Sequence, residues 1–272
     1  MAERGREFYK MCGSGNDFVF FDARDQAPGA LETPELIQRM CARGTGIGAD
    51  GVVFLERSAA ATVGLRYFNS DGSPASLCGN ATLCTARLAV ELGAADPSGF
   101  TIATDAGVMA ARFRDARPEI DFAPVQELTA DAPVRSGAAE RRIGYARAGV
   151  PHLVVEVPDI EAVPLASRGR ELRFDAALRD GANVNFVAPG PDGAWYMRTY
   201  ERGVEGETLA CGTGAVATAA VLGAWGAADG PATTIVTRSG RPLVITRGAA
   251  GRGPSLAGEG RIVFVGRLRE VE

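Results

Sequence analysis

The sequence predicts an α+β chain made of two similar halves. Three observations lead there. Strand-like runs recur along the whole chain with only a few helical runs between them. Two Ala-rich helical runs, "LCGNATLCTARLAV" (77–90) and "LACGTGAVATAAVL" (209–222), both start at Cys-Gly, with Cys78 and Cys211 lying 133 residues apart. The length of 272 residues accommodates two units of about 130 each.

"YKMCGSGNDFVFFDAR" reads as strand, Gly-rich turn and strand. Thr33-Pro34-Glu35 supplies an N-cap, a proline at the first helical position and a first-turn acid, which opens a helix to about Arg43. Strands are expected at 51–56 and 63–68, a helix from Cys78 to about Leu92, and strands at 100–104 and 107–114. Arg117-Pro118-Glu119 is the expected border, giving halves of 1–117 and 118–263. The second half restarts with strands near 119–123, 143–148, 152–157, 184–188 and 194–201, then a helix from Cys211 to about Trp225. "TTIVTRSGRPLVIT" signals a hairpin turning at Ser239-Gly240, the glycine-rich 248–260 a loop, and Arg261 to about Leu268 a last strand. Tyr67 precedes Cys78 by eleven residues, as Tyr200 precedes Cys211, which suggests that the halves repeat one unit.

Composition narrows the chemistry. Hydrophobic residues at 46% with 23% charged residues suit a soluble globular protein. A net charge of −4 gives no reason to expect nucleic acid or an anionic membrane as partner. The start, MAERGREFYK, lacks the apolar stretch of a signal peptide, and no run is long enough to span a bilayer, so a cytoplasmic location is expected. Five cysteines without a C-x-x-C pair read as reduced thiols. One histidine, His152, leaves no multi-His metal site, so no metal is expected. Lys10 is the only lysine and lies in what reads as an N-terminal tail, which disfavours a pyridoxal Schiff base.

A helix N-terminus presents unpaired N–H groups and partial positive charge, which hold anions and favour thiolate. One Cys-Gly start suggests a nucleophile. Two suggest that one thiolate removes a proton from a carbon while the opposite thiol returns one to its other face. The carbon would adjoin a carboxylate, because N–H groups aimed at the carboxylate oxygens stabilise the charge that develops there. Thiols can act as base and acid near neutral pH, and no cofactor is then needed.

The segments "GSGNDF" (13–18), "GIGADG" (46–51), "NSDGS" (69–73), "LCGN" (77–80), "GVPHLV" (149–154), "NVNF" (183–186) and "ERGVEGETLACGTGA" (201–215) resemble, in this order, those of the diaminopimelate epimerases. The resemblance implies a cofactor-independent epimerase interconverting L,L- and meso-2,6-diaminopimelate, on the route to lysine and peptidoglycan. It implies two pseudo-symmetric domains, each a mixed, largely antiparallel sheet curled round a central helix. The substrate would lie in the cleft between them, with the C-terminal strand (about 264–272) returning to the first domain. It implies a homodimer. Cys78 and Cys211 would be the acid–base pair, with His152 and Glu201 tuning the thiols. Gly79, Asn80, Gly212 and Thr213 would cradle the reacting carboxylate, while Asn16, Asn69, Asn183, Glu201 and Arg202 would hold the other polar groups of the substrate.

The chain departs from the family's usual pattern at several positions. Leu77 stands for Met, Ala81 for Gly and Leu83 for Arg. Gly51 stands where many members have Gln, and Val150 where many have Asn. The ERG-to-GET spacing is one residue longer, through Val204-Glu205. Two other readings stay open. A proline or hydroxyproline racemase shares the thiol pair but usually has His where this chain has Asn80. A catalytically silent amino-acid-binding homologue would keep the fold without the reaction.

Overall fold

The computed structural model describes residues 5–248 and 252–269. Residues 1–4, 249–251 of the expected glycine-rich loop, and 270–272 after the last strand lie outside the described residues. The chain divides into two compact units, one of the residues up to Ile120 with those from Gly258 onward, the other Asp121–Ala257.

The first unit opens with a hairpin of β1 (Arg6–Gly13) and β2 (Asn16–Asp22), joined by Ser14-Gly15. Both turn residues have positive φ, 53° and 116°, as a tight hairpin loop demands. Helix α1 (Pro34–Cys41) carries the chain back so that β3 (Gly51–Glu56) lies parallel to β2. β4 (Val63–Asn69) returns antiparallel to β3, and short β5 (Pro74–Ala75) folds onto β4. Helix α2 (Gly79–Glu91) then crosses over to β6 (Phe100–Thr104), which runs parallel to β4. β7 (Gly107–Arg114) and β8 (Arg117–Asp121) continue as an antiparallel meander.

The second unit repeats this plan. β9 (Gln126–Thr129) pairs with β10 (Arg142–Ala148), which forms a hairpin with β11 (Val150–Glu156). Helix α3 (Leu165–Arg173) leads to β12 (Asn183–Pro189), parallel to β11. β13 (Trp195–Glu201) returns antiparallel, and β14 (Gly206–Thr208) folds onto it. Helix α4 (Gly212–Ala224) crosses to β15 (Ala232–Val236), parallel to β13, followed by β16 (Pro242–Thr246) and β17 (Ser255–Ala257). The last strand, β18 (Arg261–Leu268), pairs with β1 and so takes the place in the first unit that β9 holds in the second. Among the strand pairs just described, pairing is antiparallel except at the two helical crossovers of each unit.

Helices α2 and α4 are central to their units. Ten of thirteen residues of α2 and nine of thirteen of α4 are buried, the mark of a helix enclosed on most of its sides. Helix α4 touches β9, β10, β11, β12, β15 and β16, and α2 touches β1, β2, β3, β4 and β18. Glycine permits this closeness: a Cβ on Gly144 of β10 would sit 2.4 Å from Val221 Cγ1 of α4. The shorter helices cover the opposite sheet face. Ile37 and Met40 of α1 cluster with Val19, Phe21, Val52 and Phe54, while Leu165 and Leu172 of α3 cluster with Leu153, Val155, Val184 and Phe186.

The structure corrects some sequence expectations. Tyr67 and Tyr200 are not counterparts. β4 and β13 correspond through Val63↔Ile102 and Trp195↔Ile235, an offset of 132 where the cysteines are offset by 133, so Phe68 is the counterpart of Tyr200. The packing agrees. Phe68 lies against the α1 cluster and Tyr200 in the α3 cluster, whereas the Tyr67 ring meets Phe18 edge-on at 5.8 Å. The strand expected near 119–123 is β8, which starts earlier, at Arg117, and lies almost wholly in the first unit. Helix α3 was not expected, because its Arg-rich sequence buries only Leu165, Gly169 and Leu172. Thr33 stands at the N-cap of α1 but makes no side-chain cap bond, its hydroxyl donating instead to Ala30 O at 3.0 Å. Lys10 is not in a tail. It is buried in the middle of β1, with Nζ donating to Asp17 Oδ2 at 2.6 Å and to Gly48 O.

Candidate active site

In the first unit four segments meet at one end of the sheet. The parallel strands β2 and β3 begin there with Asn16 and Gly51, antiparallel β4 ends there with Asn69, and α2 begins at Cys78. Phe18, Gly51 and Asn69 form one row across the three strands. Cys78 is the N-cap, extended at φ −135° and ψ 113°, and partly exposed. Two residues on, Asn80 is 1% exposed and donates from Nδ2 to Asn16 Oδ1 at 2.6 Å, while its own Oδ1 has no hydrogen-bond partner among the described residues.

Asn16 is itself braced. Its Nδ2 donates to Asp50 Oδ2 at 3.1 Å, and Arg43 bridges Asp50 and Asp17 at 2.8 and 2.6 Å. Burial disfavours the Asp17 carboxylate, but hydrogen bonds from Arg43 and Lys10 outweigh it and hold the carboxyl below its usual range. Asn69 is not joined to this network through its side chain. Its Nδ2 donates to Ser73 Oγ at 3.1 Å, within the turn that follows β4. A side chain at Gly51 would collide with its own neighbours, since a Cβ there would lie 2.4 Å from Phe68 O and 2.5 Å from Tyr67 Cε2. The sheet as it is packed here thus requires glycine at this position.

The second unit gathers its residues at the equivalent end. His152 of β11 lies beside Asn183, the first residue of β12. Glu201 ends β13, one position past the Val184–Tyr200 pair, and Cys211 caps α4. The row Phe18–Gly51–Asn69 therefore corresponds to His152–Asn183–Glu201. Cys211 has nearly the same backbone as Cys78, φ −133° and ψ 106°, but is only 7% exposed. Its Sγ accepts from Gly214 N at 3.4 Å and lies 3.5 Å from Thr213 Oγ1. Gly212 is buried and Thr213 half-buried at the first turn.

Asn183 Oδ1 accepts from the backbone of Arg202 at 2.9 Å, and its Nδ2 donates to Pro151 O at 3.2 Å. The Arg202 guanidinium donates to Asp180 O at 3.2 Å. His152 is fully buried. Burial, helped by the positive charge of Arg202, pushes its pKa down to about 3, so the ring is neutral near pH 7. Its Nδ1 lies 3.2 Å from Asn185 Nδ2, and its Nε2 has no hydrogen-bond partner among the described residues. Of the remaining cysteines, Cys41 and Cys84 are buried, and desolvation pushes Cys41 up to about 12 and Cys84 well above its ordinary value.

Asp50 and Asn185 escaped the sequence reading. Both lie in quoted segments, "GIGADG" and "NVNF", but their partners come from other segments of the chain and spacing does not reveal them. Chemically, each helix start combines a thiol with the N–H groups that a first turn leaves outside the helical ladder. Such a start can hold a carboxylate and exchange a proton beside it. Among the described residues no cluster of three or more His, Cys, Asp or Glu could hold a metal ion. No helix among them is long and apolar enough to cross a membrane.

Comparison with known proteins places this geometry. Solved structures share the fold at low identity. One is a hydroxyproline epimerase from Agrobacterium vitis, with TM-score 0.71 and 19% identity over 100% of this chain and 94% of that one. Another is a phenazine biosynthesis protein of the PhzF family from Enterococcus faecalis, with TM-score 0.73 and 16% identity over 96% and 98%. Sequence relatives are nearer. The diaminopimelate epimerase of Gemmatimonas aurantiaca is 49% identical over 96% of this chain and 98% of its own length. That of Aquifex aeolicus is 36% identical over 97% and 98%. The pattern of the family described as diaminopimelate epimerase matches residues 8–127 and 144–263, once in each half. With both halves matched and relatives of that name aligned along nearly its whole length, the chain belongs to the diaminopimelate epimerase family.

Proposed function

We propose that this protein interconverts L,L- and meso-2,6-diaminopimelate by two-base proton transfer, with Cys78 and Cys211 as the bases. The observation that carries the reading is the duplicated helix start. Each unit caps its central helix with a cysteine of matching backbone angles, at the end of the sheet where its polar residues gather.

In the forward step one thiolate takes the α-proton, and the C–H electron pair moves into the carboxylate-stabilised carbanion. The other thiol then delivers its proton to the opposite face, leaving the two sulfurs with exchanged protonation states. The N–H groups of Gly79, Asn80, Gly212 and Thr213 offset the negative charge that grows on the carboxylate, and so act more strongly on the transition state than on the substrate. Asn16, Asn69, Asn183, Glu201 and Arg202 hold the remaining ammonium and carboxylate groups, and His152 and Glu201 set the polarity around the thiols. The reaction serves lysine and peptidoglycan precursor synthesis in the cytoplasm.

A homodimer is part of this reading. β18 pairs with β1 while leaving Val263, Phe264 and Val265 exposed at 46%, 48% and 53%, and a run of apolar side chains on a strand is suited to a second copy. The racemase reading has weaker support, because the hydroxyproline epimerase is 19% identical where a diaminopimelate epimerase is 49%.

The test is solvent exchange of the α-hydrogen, followed by NMR in deuterated water with diaminopimelate or proline as substrate. Exchange is expected with diaminopimelate alone, and Cys78→Ala and Cys211→Ala should each lose epimerisation by roughly two orders of magnitude or more. Exchange with proline alone, or either variant keeping over about a tenth of wild-type turnover, would contradict the proposal.

A further inference from the structure

We propose that Asn185 is a positioning residue that holds His152 in the Nε2–H tautomer, so that the histidine sets the polarity around the thiols as a neutral hydrogen-bond donor and not as an imidazolium. The inference rests on the epimerase reading above, but its geometry lies wholly within the second unit.

A backbone carbonyl can only accept. Leu153 O lies 3.0 Å from the Asn185 side chain, so the atom facing it is the amide NH2. The other end of the amide, Oδ1, then accepts the Thr199 hydroxyl at 2.9 Å. Flipping the amide would set its oxygen against the Leu153 carbonyl, so the orientation is determined. The second N–H of the same NH2 group points at His152 Nδ1, 3.2 Å away. Nδ1 must therefore present its lone pair, and the ring proton resides on Nε2. An imidazolium would bring two donors face to face.

Asn185 and His152 are both 0% exposed, so bulk water does not compete for these bonds. Burial acts in the same direction by keeping the ring uncharged. The Nε2–H is a donor without a partner among the described residues, and an unpaired buried donor costs free energy unless something arrives to accept it. It stands on the strand row it shares with Asn183, at the sheet end where Arg202 and Cys211 also lie. The amide is further locked by the helix start. A Cβ on Gly214 would lie 2.4 Å from Asn185 Oδ1 and 3.1 Å from Cys211 Sγ, so Asn185 is wedged between the histidine and the first turn of α4.

A neutral donor cannot serve as a third base. Its task is to strengthen one hydrogen bond as charge builds on the acceptor, leaving proton transfer to the thiols.

The chain has a single histidine, so the imidazole region of a 15N NMR spectrum reports this residue alone. The wild-type protein should show a protonated Nε2 and an unprotonated Nδ1 at about pH 7, unchanged to about pH 5. Asn185→Asp offers an acceptor in place of the donor and should move the proton to Nδ1, with kcat falling at least about tenfold and KM changing less than about threefold. A wild-type spectrum showing Nδ1–H or imidazolium at that pH would overturn the proposal, and this readout does not depend on any variant folding. Asn185→Asp with a moved proton and wild-type kcat would also overturn it. Failure to epimerise diaminopimelate despite an Nε2–H spectrum would instead remove the functional reading and leave the tautomer standing.

Discussion

Asn80 Nδ2 donates to Asn16 Oδ1 at 2.6 Å, tying the first turn of α2 to the start of β2 across 64 positions of sequence. Asn80 is almost fully buried and its Oδ1 has no partner among the described residues. The Asn16 bond is therefore one that the interior relies on.

Asn16→Ala leaves the Asn80 amide with a buried donor unmatched, and should cost about 1–2 kcal/mol of stability. Asn69→Ala removes only a bond to Ser73 on an exposed turn and should cost under about 0.5 kcal/mol. Urea titrations distinguish them: Asn16→Ala should show a lower midpoint at unchanged slope, while Asn69→Ala should overlay the wild type. Equal midpoints for all three proteins would mean that the Asn16–Asn80 bond adds nothing to stability.

Gly214→Ala tests how tightly the second helix start is packed. Inside an ordinary helix the change to alanine gains about 1 kcal/mol. Here the new Cβ would lie 2.4 Å from Asn185 Oδ1, an atom held in turn by Thr199, so the sign should reverse. Thermal unfolding should show a lower Tm, and turnover should fall because the Cys211 turn shifts with it. A raised Tm with full activity would show that the turn has room to spare.

Acid should expose the buried histidine. The folded pKa of His152 is about 3 against an ordinary value of 6.5, so below 6.5 the unfolded chain binds a proton that the folded one refuses. Stability from this residue is complete above about pH 6.5 and declines as pH falls toward 3, at up to about 1.4 kcal/mol per pH unit. His152→Gln should flatten the slope of unfolding free energy between about pH 6 and pH 4. Parallel slopes for the two proteins would place the imidazole in contact with water.

Local signals carried much of this fold. β3, β6, β7 and β18 fall where alternating or continuous apolar runs place them, and the hairpin of β15 and β16 forms around Ser239-Gly240. The Cys-Gly starts were legible because a buried helix of small residues following cysteine and glycine is an uncommon pattern, and it occurs twice. Helix α3 was illegible for the opposite reason. Four of its nine residues are charged and only Leu165, Gly169 and Leu172 are buried, so no broad apolar stripe marks it, and its fit depends on the close approach of Gly169 to Tyr200, where a Cβ would come within 2.6 Å. That approach is a property of the partner strand.

By itself the sequence showed the class of fold, the repeat and the two Cys-Gly helix starts, since each is written in runs of neighbouring residues, whereas the polar site residues came from the resemblance of short motifs. Only the tertiary structure decided which side chains those residues meet. The Tyr67–Tyr200 spacing failed because one extra residue between β13 and α4 shifts the strand relative to the helix, and a shift of one turns a side chain to the other face of the sheet. Asn185 shows the same dependence from the other side. Its role follows from Leu153 O, His152 and Thr199 on the two flanking strands, and that juxtaposition exists only once β11, β12 and β13 are paired in register.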